Sequence, residues 1–135
     1  DEVLAKKMQD FGTYTGMAFQ IKDDLFDYLS KNIIGKPVGI DIKEQKMTLP
    51  LIYTLNSAKE IDRKYFFNII KKHNNNQSKV KELIEFVKKS GGLDYAIGVM
   101  KDYQQKAKDI LAEFPDSEAK HSLNLMLDYV IERKF

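Results

Sequence analysis

Residues 16–28 read GMAFQIKDDLFDY, and this stretch decides how the rest of the chain is interpreted. Its apolar residues recur at helical spacing, which predicts an amphipathic helix. On that helix Gln20, Asp23 and Asp27 share a face opposite the apolar stripe, and Asp24 lies at its edge. Gly16 lies on the same face and leaves room for a ligand to approach. The stretch therefore predicts a helix with one acidic face.

The two aspartates at i and i+4 on this face predict a cation-binding function. Asp23 and Asp27 are neighbours on a helix surface and repel each other unless a cation lies between them. Carboxylate oxygens suit Mg²⁺, which usually shares its coordination with a substrate phosphate. A solvated acidic surface is the alternative. Phe19 and Phe26 flank the acidic face, so the helix is apolar over most of its circumference, as expected near the middle of a fold.

The remaining segments are also helical, and no segment has the alternating pattern of a strand. The predicted helices are Val3–Leu29, Met47–Asn56, Ile61–Lys72, a helix from Ser78 to the break at Gly91-Gly92, one through Leu93–Leu111 stopped by Pro115, and one from Asp116 or Ser117. Residues 30–43 are predicted to form a loop, because they contain Gly35, Pro37 and Gly39. The predicted buried stripes are Tyr14, Met17, Ala18, Ile21, Leu25, Tyr28 and Leu29 in the first helix and Leu123, Met126, Leu127, Val130 and Ile131 in the last. The sequence predicts an all-α helical bundle.

Composition limits the function classes that fit this chain. It has 135 residues, and 43% are hydrophobic, enough to build a core. The net charge of +2 lacks the basic excess that nucleic-acid binding requires. The absence of cysteine excludes disulfides and fits a cytoplasmic protein. No apolar run approaches the roughly 20 residues of a transmembrane segment, and a start at Asp1 leads us to expect further sequence upstream.

The pattern Phe19-Gln20-x-x-Asp23-Asp24-x-x-Asp27 resembles the second aspartate-rich motif of the trans-isoprenyl (polyprenyl) diphosphate synthases. The downstream elements of the resemblance are Gly35-Lys36, Gly39-x-Asp41, Lys46-x-Thr48-Leu49-Pro50-Leu51-Ile52 and Gly91-Gly92-x-x-Tyr95-Ala96. The likeness spans almost the whole chain. It implies that residues 1–135 form the C-terminal portion of a single all-α domain of the isoprenoid synthase fold, without its N-terminal half.

The resemblance also implies a prenyltransferase of isoprenoid biosynthesis. Members of the family condense isopentenyl diphosphate with an allylic diphosphate, and they require Mg²⁺. The diphosphate leaves, an allylic carbocation forms, the isopentenyl double bond attacks it, and a proton is lost. Stabilising the charge on the leaving group is the task of metal ions and lysines.

Site residues follow from the resemblance, position by position. Asp23 would be the main direct Mg²⁺ ligand, and Asp24 and Asp27 would act through water or neighbouring groups. Asp41 would order the loop or hold a metal-bound water.

Substrate contacts follow in the same way. Phe19 would line the pocket and Gln20 would face the substrate. Lys36 and Lys46 would contact diphosphate oxygens; without the resemblance, both lysines would be interpreted as surface residues. Gln45 replaces the glycine that usually precedes the second lysine, and it would be strained if that position requires a positive φ.

The chain contains no second D-D-x-x-D, and the family's isopentenyl diphosphate site lies upstream of its second motif. We therefore expect this chain alone to be inactive. We also expect apolar surface on the first helix to favour a homodimer or self-association. Two alternatives to an enzyme fragment stay open: a non-catalytic subunit of a heteromeric prenyl synthase, and a class I terpene cyclase, whose second motif usually differs from this one.

Overall fold

Seven α-helices make up the part of the chain that the computed structural model describes, residues 1–29 and 39–132. They are α1 (Glu2–Leu29), α2 (Ile40–Lys43), α3 (Leu49–Ser57), α4 (Glu60–Lys72), α5 (Gln77–Lys89), α6 (Gly92–Ala112) and α7 (Glu118–Glu132). Neither of the described ranges contains a strand, so the all-α prediction is confirmed. No helix in these ranges has both the length and the apolar character of a membrane span.

The described residues form two compact units. The first unit comprises residues 1–22 and 97–132, and the second comprises residues 23–96. The helix α1 contributes to both, because the boundary falls between Lys22 and Asp23.

The first unit packs α1, α6 and α7 around an apolar core. Its buried residues are Phe11, Ala18, Ile21, Met100, Ala107, Leu111, Leu127 and Ile131. Lys22 is also buried, and its ammonium donates a hydrogen bond of 2.9 Å to the carbonyl of Ile131, in the last turn of α7. Terminal carbonyls of a helix lack an intrahelical donor, and a cation is favoured at that end. Lys22 therefore caps α7.

The second unit contains Asp23, Asp24 and Asp27 of the acidic motif, and in it α3, α4 and α5 pack against one another. Its largest fully buried side chains include Tyr28, Leu25, Ile42, Leu51, Ile69, Leu83 and Val87. The predicted face of α5 is confirmed, since Val80, Leu83, Ile84 and Val87 are all buried. In the α4–α5 pair, the rings of Phe66 and Phe86 stack with their centroids 4.1 Å apart.

Two adjacent glycines join α5 to α6 for different physical reasons. Gly91 has a φ of 81°, a left-handed conformation that suits glycine at a helix end. A Cβ on Gly92 would lie 2.5 Å from Thr54 Oγ1 and 2.7 Å from the carbonyl oxygen of Pro50. Only glycine allows this close approach of α6 to α3, so the predicted helix break is confirmed and given a cause.

Three predictions of local structure differ from the structure. Residues 40–43 form α2 rather than a loop, whereas the predicted loop residues 30–38 lie outside the described residues. The cap of α5 is Asn76, whose side chain accepts a hydrogen bond from the Lys79 amide, rather than Ser78. Met17 and Met126 are each 43% exposed, because the buried stripes are narrower than the apolar spacing suggested.

Candidate functional site

The acidic motif occupies the last two turns of α1. Asp23 is exposed, and Asp24 and Asp27 are half-buried. The unbroken helix confirms the i, i+4 spacing of Asp23 and Asp27. Phe19 and Gln20 lie earlier on the same helix, within the first unit, and both are exposed.

The carboxylate of Asp27 holds the start of the following segment. Its Oδ1 accepts a hydrogen bond of 2.9 Å from the Ile40 amide, and its Oδ2 accepts one of 3.1 Å from the Asp41 amide. These amides open α2 and have no donor–acceptor partner within the helix. Asp27 therefore orders the loop, a role that sequence reasoning gave to Asp41.

The neighbouring residue Tyr28 holds the other end of this segment. Its hydroxyl lies 3.0 Å from the Thr48 hydroxyl, and both side chains are buried. Burial raises the pKa of Tyr28 above its ordinary value, so the phenol stays neutral. We call residues 39–48 the site loop. Asp27 and Tyr28, which are consecutive in α1, hold its beginning and its end. Sequence reasoning placed Tyr28 only in the apolar stripe, although a buried tyrosine hydroxyl usually needs a partner.

Gly39 begins the site loop in a conformation that other residues rarely adopt. Its φ is 87°, and a Cβ there would lie 2.8 Å from Val80 Cγ1 and 3.1 Å from Ile84 Cδ1. The loop can therefore lie against α5 only because this position lacks a side chain. This close packing gives a physical reason for the Gly39-x-Asp41 pattern.

The carboxylate of Asp41 lies in a negative environment. Burial raises its pKa, and the charges of Asp27 and Asp24 raise it further, while Lys46 opposes them. The carboxylates from α1 and from the site loop are thus close enough to repel one another. A cation near them would relieve this repulsion.

Lys46 supplies one positive charge to this end of the loop. Its ammonium lies 3.1 Å from Glu44 Oε2 and 3.8 Å from Asp41 Oδ1, and its side chain is 62% exposed. The hydrogen bond to Glu44 raises the pKa of Lys46, as do the charges of Glu44 and Asp41. An exposed lysine can exchange such partners for an anionic ligand at little cost. The second predicted lysine, Lys36, lies outside the described residues.

Gln45 has a positive φ at the position where the family usually has glycine. Its φ is 61°, a conformation that strains a residue with a side chain. Its side-chain amide donates hydrogen bonds of 3.2 Å to the carbonyls of both Ile70 and Lys71. The strained residue is therefore anchored to the end of α4.

Mg²⁺ fits the donors of this region as an open site rather than as a closed cage. The described residues contain no group of three His, Cys, Asp or Glu side chains that could enclose a metal ion. Mg²⁺ does not need one, since it commonly binds one or two carboxylates, water and substrate phosphates. Asp23 is exposed and Asp24 is half-buried, whereas Asp27 is engaged with backbone amides. All these donors are oxygens, the type that Mg²⁺ prefers.

A second feature lies on the earlier part of α1. Leu4, Met8 and Phe19 are 47%, 41% and 47% exposed. Intervals of 4 and 11 residues bring them to one side of a helix, since 11 residues make about three turns. We call these three residues the apolar side of α1.

Comparisons with known proteins identify the family of this chain. The sequence model of the polyprenyl synthetase family matches residues 1–87. The chain is 38% identical over 128 residues to the short chain isoprenyl diphosphate synthase of Methanothermobacter thermautotrophicus, covering 94% of this chain and 39% of that protein. It is 33% identical over 136 residues to the heptaprenyl diphosphate synthase component 2 of Bacillus subtilis, covering 100% of this chain and 38% of the relative.

Solved structures give the same result. The geranylgeranyl pyrophosphate synthase of Bacteroides thetaiotaomicron superposes with a TM-score of 0.89 at 38% identity, covering 98% of this chain and 44% of the other. The chain thus spans about two fifths of the length of the relatives it matches. The helical architecture is that of the isoprenoid synthase fold, and the resemblance seen in the sequence is confirmed. This chain belongs to the polyprenyl synthetase family.

Proposed function

We propose that this chain supplies the second aspartate-rich, Mg²⁺- and diphosphate-binding wall of a prenyl diphosphate synthase. The complete enzyme would condense isopentenyl diphosphate with an allylic diphosphate. One observation carries the proposal: Asp27 fastens the site loop to α1 so that Asp41 and Lys46 lie in the electrostatic environment of Asp24. Carboxylates and an exposed lysine gathered in this way suit a metal-bound diphosphate.

Each residue has a distinct task in this proposal. Asp23 and Asp24 would hold Mg²⁺, which when bound neutralises negative charge that develops on the leaving diphosphate. Asp27 keeps the site loop in place through its two amide hydrogen bonds. Asp41 would hold a metal-bound water, and Lys46 would contact a diphosphate oxygen as a point charge.

Three further residues keep the roles that the resemblance implies. Gln20 would face the substrate and Phe19 would line the pocket, both from earlier on α1. Lys36 would be a second contact to the diphosphate. These assignments are predictions for direct test, as is a cytoplasmic location of the enzyme.

These 135 residues hold only part of such an active site, so we propose that turnover requires the remaining part of the enzyme. The family's first aspartate-rich motif and its isopentenyl site would belong to that part, consistent with the greater length of the relatives. The exposed Leu4, Met8 and Phe19 would pack against it. In its absence, the same side would support a homodimer or larger self-association.

A non-catalytic subunit of a heteromeric synthase is the second candidate. It is favoured by the similarity to a Bacillus subtilis protein that is named as component 2 of a heptaprenyl diphosphate synthase. A decayed site would bind Mg²⁺ and diphosphate no better than an unrelated acidic surface. The intact Asp23, Asp24 and Asp27 support the catalytic alternative.

Binding of inorganic pyrophosphate to the purified chain tests the proposal. Amide NMR spectra should show shifts at Asp23 and Asp24 when pyrophosphate is added with Mg²⁺, and not when either is added alone. Asp23→Ala should abolish these shifts. The control is Asp102→Ala, which removes an exposed aspartate from α6. Shifts that are independent of Mg²⁺, or that persist in Asp23→Ala, would overturn the proposed site.

A further inference from the structure

The turn between α2 and α3 contains an unusual backbone conformation. Gln45, with a φ of 61°, has the only positive φ of a non-glycine residue within the described ranges. Glycine would adopt this conformation without steric penalty. A side chain at this position therefore has to make contacts that offset the steric strain of the backbone.

The side chain of Gln45 reaches a second element of the fold. Its amide donates to the carbonyls of Ile70 and Lys71, each at 3.2 Å. Both carbonyls belong to the last turn of α4, where helix carbonyls lack intrahelical donors. One side chain therefore satisfies two acceptors and ties the turn to the negative end of a helix.

A second hydrogen bond connects the same two regions in the opposite direction. The side-chain amide of Asn74, just after α4, donates to the carbonyl of Lys43 at 2.8 Å. Lys43 ends α2, two residues before Gln45. The turn is thus held at two points by the end of α4.

This anchor lies directly beside the charged residues of the site loop. The Lys46 amide donates to the Asp41 carbonyl at 2.8 Å, so the turn that contains Gln45 joins these two residues. The side chain of Lys46 is mostly exposed, and packing contributes little to its direction. The backbone conformation at Gln45 therefore determines the position and direction from which the Lys46 side chain extends.

We propose that Gln45 is a positioning residue, which holds Lys46 and Asp41 in the geometry for a metal-bound diphosphate by anchoring their turn to α4. The inference rests on the proposed function for its consequence in binding. Gln45 itself contacts no ligand in this account. Its side-chain hydrogen bonds to α4 restrict the conformation of the turn. They offset the strain of the left-handed backbone at Gln45.

The first test needs no ligand and uses hydrogen exchange in the free chain. Gln45→Gly should speed exchange of the Lys46 amide, because the turn loses its anchor. The amides of α3 should exchange as in the parent chain, which controls for general loss of structure. Asn74→Ala, which removes the other link, should speed the same amide. Unchanged exchange of Lys46 in Gln45→Gly would overturn the proposal, whether or not pyrophosphate binds.

The second test measures the affinity for pyrophosphate in the presence of Mg²⁺ by calorimetry. Gln45→Gly should weaken binding by about tenfold, as expected when a supporting residue is removed. In a Lys46→Ala background the same change should have a much smaller effect, because Gln45 acts through Lys46. An equal loss in both backgrounds would contradict the proposal. If the parent chain binds no pyrophosphate, the proposed function fails, and the exchange experiment alone decides on Gln45.

Discussion

Residues 4–19 and residues 23–28 belong to the same helix, α1, but their outward sides have different surroundings. In the earlier part, Leu4, Met8 and Phe19 remain between 41% and 47% exposed. In the later part, Asp27 and Tyr28 are engaged by the site loop through hydrogen bonds of 2.9 to 3.1 Å. Asp27 and Tyr28 in the later part are therefore held by the chain's own residues, whereas the earlier part leaves apolar side chains exposed to solvent.

This difference indicates how the chain's task is divided. Polar groups that must be precisely oriented are fixed locally, by residues 13 to 20 positions away in sequence. Exposed apolar groups need no fixed geometry, but they favour association. We infer that the site loop is held by the chain's own residues, and that the apolar side of α1 packs against further protein surface, from the rest of the enzyme or from a second copy. The substitutions below compare the two parts, in order of decreasing effect on unfolding.

The same substitution at both parts should give the largest contrast. Leu25→Ala removes a fully buried side chain and should lower the free energy of unfolding by about 2–5 kcal/mol. Leu4→Ala removes a half-exposed one and should change it by less than about 0.5 kcal/mol. Urea denaturation followed by circular dichroism measures both. Equal losses would mean that the earlier part is also buried, for example by self-association.

Loss of the Tyr28 hydroxyl should have the next largest effect. Tyr28→Phe leaves the buried Thr48 hydroxyl without its partner, which should cost about 1–3 kcal/mol. Tyr129, 68% exposed on α7, provides the matched control, and Tyr129→Phe should be neutral. The same denaturation experiment applies. A neutral Tyr28→Phe would show that the end of the site loop is not held in this way.

The two aspartates at i and i+4 should separate stability from binding. Asp27→Ala removes the acceptors of the first α2 amides and should cost about 1 kcal/mol, as for other helix caps. Asp23→Ala should leave stability unchanged, because Asp23 is exposed. Thermal unfolding and Mg²⁺-dependent pyrophosphate binding should be measured on both variants. Stability loss in Asp23→Ala, or none in Asp27→Ala, would contradict this division.

The smallest expected effect is a dependence on alkaline pH. The folded-state pKa of Tyr28 is raised, so its contribution to stability is present below the unfolded pKa, about 10, and is lost as pH rises above it. At about pH 10 the loss should be about 0.4 kcal/mol. Denaturation at several pH values should show this slope in the parent chain and a reduced slope in Tyr28→Phe. Identical slopes would argue against a buried phenol.

Helical periodicity predicted much of this molecule. The spacing of Ala18, Ile21 and Leu25 identified the buried side of α1, and Gly91-Gly92 marked a helix break. These features depend on neighbours in the sequence, so a pattern can reveal them. The positions of Asp23 and Asp27 on one helix face follow from the same rule.

Contacts across the site loop could not be predicted in this way. Asp27 and Tyr28 find partners 13 to 20 residues later in the chain, and the four-residue α2 is too short to have a period. Gln45 could be identified as unusual, but its acceptors on α4 lie 25 and 26 residues away. No local pattern predicts the hydrogen bond of Lys22, because its acceptor at the end of α7 lies 109 residues away.

Reconstitution of prenyl transfer tests the central claim most directly, that this chain carries the second metal- and diphosphate-binding part of a prenyl diphosphate synthase active site. The chain would be co-expressed with the part of the Bacteroides thetaiotaomicron relative that it does not match, and incorporation of labelled isopentenyl diphosphate into product would be measured with Mg²⁺. We predict no turnover by either part alone, turnover by the complex, and a loss of about 100-fold or more in Asp23→Ala but not in Asp102→Ala. Turnover by this chain alone, or a complex as active with Asp23→Ala as without it, would contradict the account.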